Sequence, residues 1–480
     1  MPAGRVPTRP RHGRPRGGPP GAQGDGGAGA AAHLRRVDPV GSTRVAGPDR
    51  LDPPSEDPLL RLLFPELATG VEWGLERTER ALAALHSPHR AYRALHVGGT
   101  NGKGSVTATL ASVLQRSGRK VGCYTSPHLC SFHERILVGG RPLSEPALIA
   151  YANETREAIE RYGLTFFEAV TVLAFHVFAR EGVEVAAIEV GLGGRLDATN
   201  VLAPDVSAVT SIAMDHMDYL GGTLAEIARE KAGIVKPGVP FVTSERDPAL
   251  LEIFADVAHR AGAPMHVVTP DRVRDVVVAA DHTSFLMTTR AWGDLEVVTP
   301  LVGAHQATNT AVSVEMLEHV PDALRPERRA LLEGIRAVRH HGRNEIRAID
   351  GRTWLFDVAH NPAGIASLAA TLDRLDLPRP RVALIGVLAD KDWRAMLPPL
   401  LGRVDAAVLT VPPSAPADRR WDATAAATAL GTDSRVIAVQ GFEAALAEAA
   451  ARAGSGTVVV TGSVHTVGNA MRLLGVDPLS

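Results

Sequence analysis

The sequence contains few cysteines and no long apolar run. Its two cysteines, Cys123 and Cys130, provide neither a disulfide framework nor a spacing typical of a metal site. No run of 18 apolar residues occurs in the 480-residue chain, so we expect no membrane-spanning helix and no membrane partner. The formal net charge is −2, which gives the chain as a whole no attraction to nucleic acid. These absences favour a protein of the reducing cytoplasm.

Lysine is scarce as well, and its scarcity draws attention to the positions that retain it. Of 51 basic side chains, only five are Lys. In a chain that uses Arg for nearly every basic side chain, we expect Lys at positions where a guanidinium could not replace an ammonium. The alternative at each position is that the Lys is there by chance. The five positions are Lys103, Lys120, Lys231, Lys236 and Lys391.

Composition and apolar periodicity divide the chain into three parts. Residues 1–55 are rich in Pro, Gly and Arg and lack apolar periodicity, so we predict a disordered tail, with a basic nucleic-acid-binding arm as the alternative. In residues 56–338, apolar β-rich runs alternate with helical stretches, which predicts a mostly parallel sheet covered by helices. Short antiparallel strands are expected at 270–303. Residues 339–480 repeat the alternation, which predicts a smaller, Rossmann-like α/β domain.

A glycine-rich loop, GGTNGKGS, lies between a predicted strand and a predicted helix. In that context backbone N–H groups converge on an anion, and the helix N-terminus adds positive potential. Lys103 is then placed to reach nucleotide phosphates, although Gly104 separates it from Ser105, where the usual phosphate loop has Lys and Ser or Thr adjacent. A turn that merely ends a strand is the alternative.

Polar side chains accompany three later strands of the predicted sheet. Ser126 follows one strand, Glu189 lies within an apolar one, and Asp215 and His216 follow another. An unpaired carboxylate in an apolar strand is costly, and such groups at neighbouring strand ends suit a divalent metal. The turn after Glu189 has the spacing G-x-G-G, which argues against a dinucleotide fingerprint.

Between about residues 70 and 470 the chain contains, in order, GGTNGKGS, YTSPH…ERI, FFEAVTVLAF, EVGLGGRLDATN, VTSIAMDHMDYLG, IAREKAGI, HQATN, GRNE, FDVAHNP and TGSVHTVG. Together these motifs resemble the folylpolyglutamate synthase/dihydrofolate synthase family, part of the wider Mur-ligase group of ATP-dependent amide ligases. That family also has Gly between Lys and Ser or Thr, which accounts for Gly104. The chain departs from it at His341, where Pro is frequent, and in TVPPSAPADRRWDA, a loose match.

The resemblance implies a role for each of several residues. The nucleotide site would consist of Gly102, Lys103, Gly104, Ser105, Asn309, Arg343 and Asp357. The Mg²⁺ site would consist of Ser126, Glu189, His216 and Lys231, the last as a carbamate. The pterin-substrate site would consist of Glu72, Trp73, Gly74, Leu75, Thr165, Phe166, Phe167, Glu168, Leu196, Asp197 and Ala198. The residues expected to act in catalysis are Lys103, Lys231, His216 and Arg343.

The implied reaction is ATP-dependent ligation of L-glutamate, through an acyl phosphate, with Mg²⁺ as the metal. The acceptor would be dihydropteroate, the γ-carboxylate of a tetrahydrofolate, or both. The partners expected are therefore small molecules, and the chain is expected to act as a monomer. The alternatives are another Mur-type amide ligase and a P-loop kinase or hydrolase that forms no amide.

Overall fold

The structure is a computed structural model that describes residues 58–64, 67, 73–431 and 435–479. The predicted tail of residues 1–55 lies outside the described residues. Within the described ranges, no helix combines the length and the apolar character of a membrane span. Two sheets organise the molecule, and we call the described residues of 58–337 the large lobe and those of 345–479 the small lobe.

An eight-stranded sheet forms the centre of the large lobe. Its strands are β1 Arg93–Gly98, β2 Val121–Tyr124, β3 Ile136–Val138, β4 Arg141–Pro142, β5 Val185–Glu189, β6 Val206–Val209, β7 Phe241–Thr243 and β8 Met265–Val267. They lie in the order β4-β3-β2-β5-β1-β6-β7-β8. The six strands from β2 to β8 in this order are parallel, and β3 and β4 add antiparallel pairs at one edge. The prediction of a mostly parallel sheet is confirmed.

Helices cover both faces of this sheet. They are α1 Pro58–Leu63, α2 Glu76–Ala84, α3 Lys103–Arg116, α4 Glu145–Arg161, α5 Phe166–Arg180, α6 Met217–Leu220, α7 Leu224–Ala232, α8 Pro248–Ala261, α9 Ala304–Glu318 and α10 Arg328–Ala337. Because successive strand residues point to opposite faces, Leu95 and Val97 belong to the apolar cluster that contains α3. Ala94 and Ile188 belong to the cluster on the other side, with Phe175 of α5.

A three-stranded antiparallel sheet follows in the chain, as the sequence predicts for 270–303. Its strands are β9 Arg274–Val278, β10 Thr283–Thr289 and β11 Gly293–Thr299, and β10 lies in the middle. Alternate residues of β10 and β11, such as Phe285 and Val297, are buried in the cluster that includes α9. Leu286, which points the other way, is exposed. The alternation of burial gives this small sheet one core face.

The small lobe contains a second α/β sheet. Its strands are β12 Glu345–Ile349, β13 Arg352–Phe356, β14 Arg381–Ile385, β15 Ala406–Leu409, β16 Val436–Ala438 and β17 Thr457–Thr461. Their order is β12-β13-β17-β14-β15-β16, and every pair except β12–β13 is parallel. The helices are α11 Pro362–Leu372, α12 Trp393–Leu401, α13 Ala423–Ala429, α14 Phe442–Ala453 and α15 Val464–Leu473. The predicted second α/β unit is confirmed, whereas a domain boundary after residue 338 stays a prediction.

Gly334 offers a test of the packing between α10 and α3. Helix propensity alone would favour Ala over Gly within a helix by about 1 kcal/mol. A Cβ at Gly334 would, however, lie 2.4 Å from the Cα of Val113 in α3. We therefore expect Gly334→Ala to lower the free energy of unfolding by about 1–3 kcal/mol, measured by urea denaturation.

Gly402→Ala is the matched control for that variant. Gly402 ends α12 with a φ of −68°, and an added Cβ would meet no atom closer than 3.8 Å. Its stability should be unchanged or slightly raised. A Gly334→Ala protein as stable as the control would contradict the close contact between the two helices.

Candidate active site

The glycine-rich loop joins β1 to α3 in the arrangement that the sequence predicts. Gly99 and Gly102 have φ values of +131° and +93°, which favour glycine. A Cβ at Gly99 would also lie 1.9 Å from Oγ1 of Thr210, and one at Gly102 would lie 2.4 Å from Oδ1 of Asn309. The loop is thus held between the end of β6 and helix α9. At Gly99 and Gly102 this leaves no room for a side chain.

The residue between Lys103 and Ser105 is also confined. A Cβ at Gly104 would lie 2.5 Å from Nε2 of His340 and 3.4 Å from Oε2 of Glu189. His340 belongs to the segment that leads into the small lobe, so this segment packs directly on the first turn of α3. The close approach explains why glycine interrupts the usual Lys-Ser pair at this position.

Two lysines converge on one carbonyl oxygen of the loop. Nζ of Lys103 donates to the carbonyl oxygens of Gly99 and Thr100, each at 3.2 Å, and Nζ of Lys231 donates to that of Gly99 at 2.9 Å. Lys231 is buried. Burial and then the charge of Lys103 lower the pKa of Lys231 to about 7. A substantial fraction of Lys231 is therefore a neutral amine near neutral pH, which no arginine would be.

Glu189 ends β5 beneath this loop with only 4% of its surface exposed. It accepts a hydrogen bond from the backbone N–H of Ser126 at 3.1 Å. Burial raises the pKa of its carboxyl, while Lys103 and Arg343 favour the charged form. No ion pair within 4 Å neutralises it in the described part of the chain, so the site has an unmatched buried carboxylate that suits a cation.

His216 completes a set of donors suited to a metal. Its backbone lies in the left-handed region at φ 52°, an uncommon conformation that is enriched at functional sites. Burial, followed by the charge of Lys391, lowers the pKa of His216 to about 3, so its ring is neutral and has a free lone pair. Ser126, Glu189 and His216 are therefore the residues here that could offer oxygen and nitrogen ligands to a divalent ion.

Asp215 joins the two lobes. It is 8% exposed, and three small-lobe side chains approach its carboxylate. Lys391 donates to Oδ1 at 2.6 Å, Asn361 donates to Oδ2 at 3.0 Å, and Nε2 of His360 lies 3.3 Å from Oδ2. Burial alone would raise the pKa of this carboxyl, but the hydrogen bond from His360 and the surrounding positive charges hold it below its ordinary value.

Asn361 reaches the glycine-rich loop as well. Its Nδ2 donates to Oδ1 of Asn101 at 3.1 Å, and its Oδ1 accepts from Nδ2 of Asn101 at 3.3 Å. The same Oδ1 accepts the backbone N–H of Gly364 at 2.8 Å, which caps the N-terminus of α11. One amide therefore links the phosphate loop, Asp215 and a helix of the small lobe.

Arg343 and Asp357 face the loop from the small-lobe side. Asp357 follows β13 and accepts the backbone N–H groups of Asn344 at 2.8 Å and Ala359 at 2.9 Å. Burial lowers the pKa of Arg343, while the charges of Asp357 and Glu189 raise it. The guanidinium thus lies within the electrostatic influence of acidic groups from both sides of the cleft.

A cavity of about 1860 Å³ contains these groups and is lined by both lobes. Its lining includes every residue expected to hold nucleotide or metal, namely Gly102, Lys103, Gly104, Ser105, Ser126, Glu189, His216, Lys231, Asn309, Arg343 and Asp357. It also includes eight of the residues expected to hold the acceptor, namely Trp73, Thr165, Phe166, Phe167, Glu168, Leu196, Asp197 and Ala198. Gly74 and Leu75 do not line it, and Glu72 lies outside the described residues.

Several polar residues of the expected acceptor site already hold local structure. Glu168 accepts both the N–H and the hydroxyl of Thr165 in the capping box of α5, and it pairs with Arg77 at 3.0 Å. Asp197 accepts the backbone N–H groups of Leu192 and Thr199 at 2.8 and 3.0 Å. These hydrogen bonds hold the backbone that forms this part of the cavity wall. The aromatic and aliphatic side chains beside them, such as Phe166, Phe167 and Leu196, provide its apolar surface.

Sequence reasoning missed the functional contacts of Lys391, His360 and Asn361. The rarity of lysine singles out Lys391 as a position to inspect, and the motif FDVAHNP contains the other two. Neither signal indicates that all three meet Asp215, because that residue lies more than 140 positions away in the chain.

Comparisons with known proteins agree with this arrangement. A Mur ligase middle domain matches residues 97–317, and a Mur ligase, glutamate ligase domain matches residues 342–464. The dihydrofolate synthase/folylpolyglutamate synthase of Escherichia coli is 36% identical over 409 residues, which cover 84% of this chain and 92% of that protein. The protein of the same name from Bacillus subtilis is 36% identical over 350 residues, which cover 69% of this chain and 79% of that protein.

Solved structures show the same fold. Mycobacterium tuberculosis folylpolyglutamate synthase complexed with ADP has a TM-score of 0.78 and 33% identity, covering 84% of this chain and 95% of that one. E. coli FolC in complex with DHPP and ADP has a TM-score of 0.76 and 34% identity, covering 87% of this chain and 96% of that one. The chain therefore belongs to the folylpolyglutamate synthase/dihydrofolate synthase family of Mur-type ATP-dependent ligases.

Proposed function

We propose that this protein ligates L-glutamate to dihydropteroate, to the γ-carboxylate of tetrahydrofolates, or to both, in an ATP-dependent reaction. The observation that carries the proposal is the meeting of a glycine-rich phosphate loop, two lysines and Arg343 in one cavity between two lobes. The names of the relatives, which include dihydrofolate synthase/folylpolyglutamate synthase, support the choice of substrates.

The nucleotide would lie across the cleft. Gly102, Lys103, Gly104 and Ser105 would hold the phosphates through backbone N–H groups, an ammonium and a hydroxyl at the N-terminus of α3. Lys103 already donates to loop carbonyls, so the charge lies beside the expected phosphate position. Asn309, Arg343 and Asp357 would contact the nucleotide from the opposite wall.

Two bond-forming steps complete the reaction. An oxygen of the acceptor carboxylate attacks the γ-phosphorus of ATP, and the bond from that phosphorus to the β,γ-bridging oxygen breaks. ADP departs, and the acceptor is now an acyl phosphate. The glutamate amine then attacks the acyl carbon and loses a proton as phosphate departs. Because carboxylate and triphosphate are both anions, Lys103 and Arg343 would promote the first step by reducing their repulsion. Enclosure by the two lobes would keep water from the acyl phosphate.

Ser126, Glu189 and His216 would hold Mg²⁺, because a buried carboxylate without an ion pair, a neutral imidazole and a hydroxyl fit the ion. When bound, Mg²⁺ neutralises phosphate charge. Lys231 would join this set as a carbamate, formed when its unprotonated Nζ adds to CO₂ and releases a proton. The pKa of about 7 supports this reaction at neutral pH.

We further propose that the protein acts as a monomer in the cytoplasm. The residues expected to hold nucleotide and metal all line one cavity of this chain, so the proposed site needs no residue from a second copy. Both cysteines are free thiols, which agrees with a reducing compartment.

Release of ADP tests the proposed function directly. With ATP, Mg²⁺ and L-glutamate present, we expect ADP to form when dihydropteroate or tetrahydrofolate is added and not when both acceptors are omitted. Mass spectrometry of the folate product should show one added glutamate. ADP formation that does not depend on acceptor or on glutamate would indicate a kinase or hydrolase and would contradict the proposal.

Lys231→Ala tests the carbamate. Removal of a group that acts on the developing charge lowers turnover by about 100-fold or more, and small carboxylates such as acetate should restore part of it by supplying oxygens to the vacated position. Lys236→Ala is the control, because Lys236 is a partly buried lysine that donates to the carbonyl of Asn200 and does not line the cavity. Full activity of Lys231→Ala without added carboxylate would rule out the carbamate.

Lys391→Met tests the contact between the lobes. It removes the cation from a buried ion pair and leaves Asp215 partly uncompensated, so we expect a loss of about 3 kcal/mol in the free energy of unfolding together with a loss of ligase activity. Lys120→Met removes an exposed pair with Glu181 and should cost less than about 1 kcal/mol. Equal stability of the two variants in urea would show that the Asp215 contact does not hold the lobes together.

A further inference from the structure

Three side chains of types that commonly bind transition metals lie close together outside the active-site cavity. Donor atoms of His266, Glu315 and His319 all lie within 4.8 Å of one another. Glu315 lies near the C-terminal end of α9, His319 follows that helix directly, and His266 is in β8, the last strand of the eight-stranded sheet. None of the three lines the cavity described above.

The spacing of the two residues on α9 explains part of this arrangement. Residues four positions apart lie one turn apart on the same face of a helix. Nε2 of His319 accordingly lies 3.1 Å from Oε1 of Glu315. The ring of His266 stacks on that of His319, with 3.6 Å between the centroids and 20° between the planes. A helix and a strand thus bring two imidazoles and a carboxylate close together.

The charges around the three residues favour a cation. Glu315 and Glu318 are both buried, and the guanidinium of Arg272 pairs with both. One guanidinium between two carboxylates leaves an excess negative charge, and Oε2 of Glu318 accepts no hydrogen bond within the described residues. Arg290 is a further cation near His266, but its side chain is exposed and is screened by solvent. Arg325 also lies nearby, where it donates to the backbone carbonyl of Glu318 and pairs with Asp322.

We propose that His266, Glu315 and His319 form a binding site for a divalent transition metal of the zinc class. Two imidazoles and one carboxylate are a ligand set that Zn²⁺ accepts at about 2.0–2.2 Å. Mg²⁺ and Ca²⁺ prefer all-oxygen sets and would bind less well. The set is therefore distinct in chemistry, as well as in place, from the proposed Mg²⁺ site.

Metal binding requires one imidazole to turn. A metal lies in the plane of each imidazole that ligates it, and two stacked planes do not meet near their nitrogen atoms. His266 is only partly buried and lies on a strand at the edge of the sheet, so we expect its ring to leave the stack on His319 and to turn about the Cβ–Cγ bond toward Glu315 when the ion binds. The bound ion would then replace the ring stack as the link between β8 and α9.

The position of the site implies a structural role. Asn309, which packs against the phosphate loop, lies six residues before Glu315 on α9, roughly 9 Å along the helix axis. A metal that fastens the C-terminal end of α9 to the sheet would stabilise the helix that presents Asn309. It would contact no substrate.

Zinc binding by the full-length protein tests this site. The protein is treated with a chelator and then titrated with Zn²⁺ while Mg²⁺ and ADP saturate the active site. The variants are His266→Gln and His319→Gln, and the control is His259→Gln, which changes an exposed histidine of α8. Since even an outer partner of a metal ligand contributes about 10- to 100-fold to affinity, loss of a ligand should weaken Zn²⁺ binding by more than about 100-fold.

We expect the wild type and the control to bind one more equivalent of Zn²⁺ than either variant. Zn²⁺ should raise the thermal unfolding midpoint of the first two proteins only. Equal stoichiometry and equal thermal shifts in all four proteins would overturn the site. A wild type that binds no Zn²⁺ under these conditions would overturn it as well.

Folding of the variants is checked without metal. Gln at position 319 retains a donor for Glu315, so the chelated variants should unfold near the temperature of the chelated wild type. Co²⁺ provides a measurement that needs no variant, because tetrahedral or five-coordinate Co²⁺ with imidazole ligands absorbs visible light strongly. Only a weak octahedral spectrum from Co²⁺-loaded wild type would contradict the proposed ligand set.

Discussion

The arrangement of the cleft depends on one buried carboxylate. Asp215 belongs to the large lobe, yet three side chains of the small lobe, Lys391, Asn361 and His360, approach it within 3.3 Å. A buried charge is tolerated only where hydrogen bonds and an opposite charge compensate it. Within its own lobe Asp215 accepts the backbone N–H of His216, but its charged partner, Lys391, comes from the other lobe, so this carboxylate ties the two sheets together.

Space limits the rest of the cleft as strictly as charge does. The loop glycines approach Thr210, Asn309 and His340 so closely that side chains would overlap those atoms. Such contacts bring β6, α9 and the segment before the small lobe around one short loop. The ammonium of Lys103, which donates to the carbonyls of Gly99 and Thr100, then places positive charge where a triphosphate would need it.

Much of this could be predicted from the sequence, for reasons that are local. The strand, loop and helix around Lys103 follow from apolar runs and glycine placement, and the apolar neighbours of Glu189 indicate a buried carboxylate. Very short strands were missed, because a strand such as Arg141–Pro142 has no periodicity to detect. The partners of Asp215 were also missed, since contacts between distant segments leave no local pattern. Motif residues such as Thr165, Glu168 and Asp197 are ambiguous in a different way. From the sequence alone, a polar side chain that caps a helix cannot be distinguished from one that binds a ligand.

The cap on α11 has a consequence for motion between the lobes. Oδ1 of Asn361 accepts the N–H of Gly364 at the start of α11. The small lobe itself therefore orients this amide, because a flipped amide would lose that hydrogen bond. Any closure of the two lobes would therefore cost little of the rotamer entropy of that side chain.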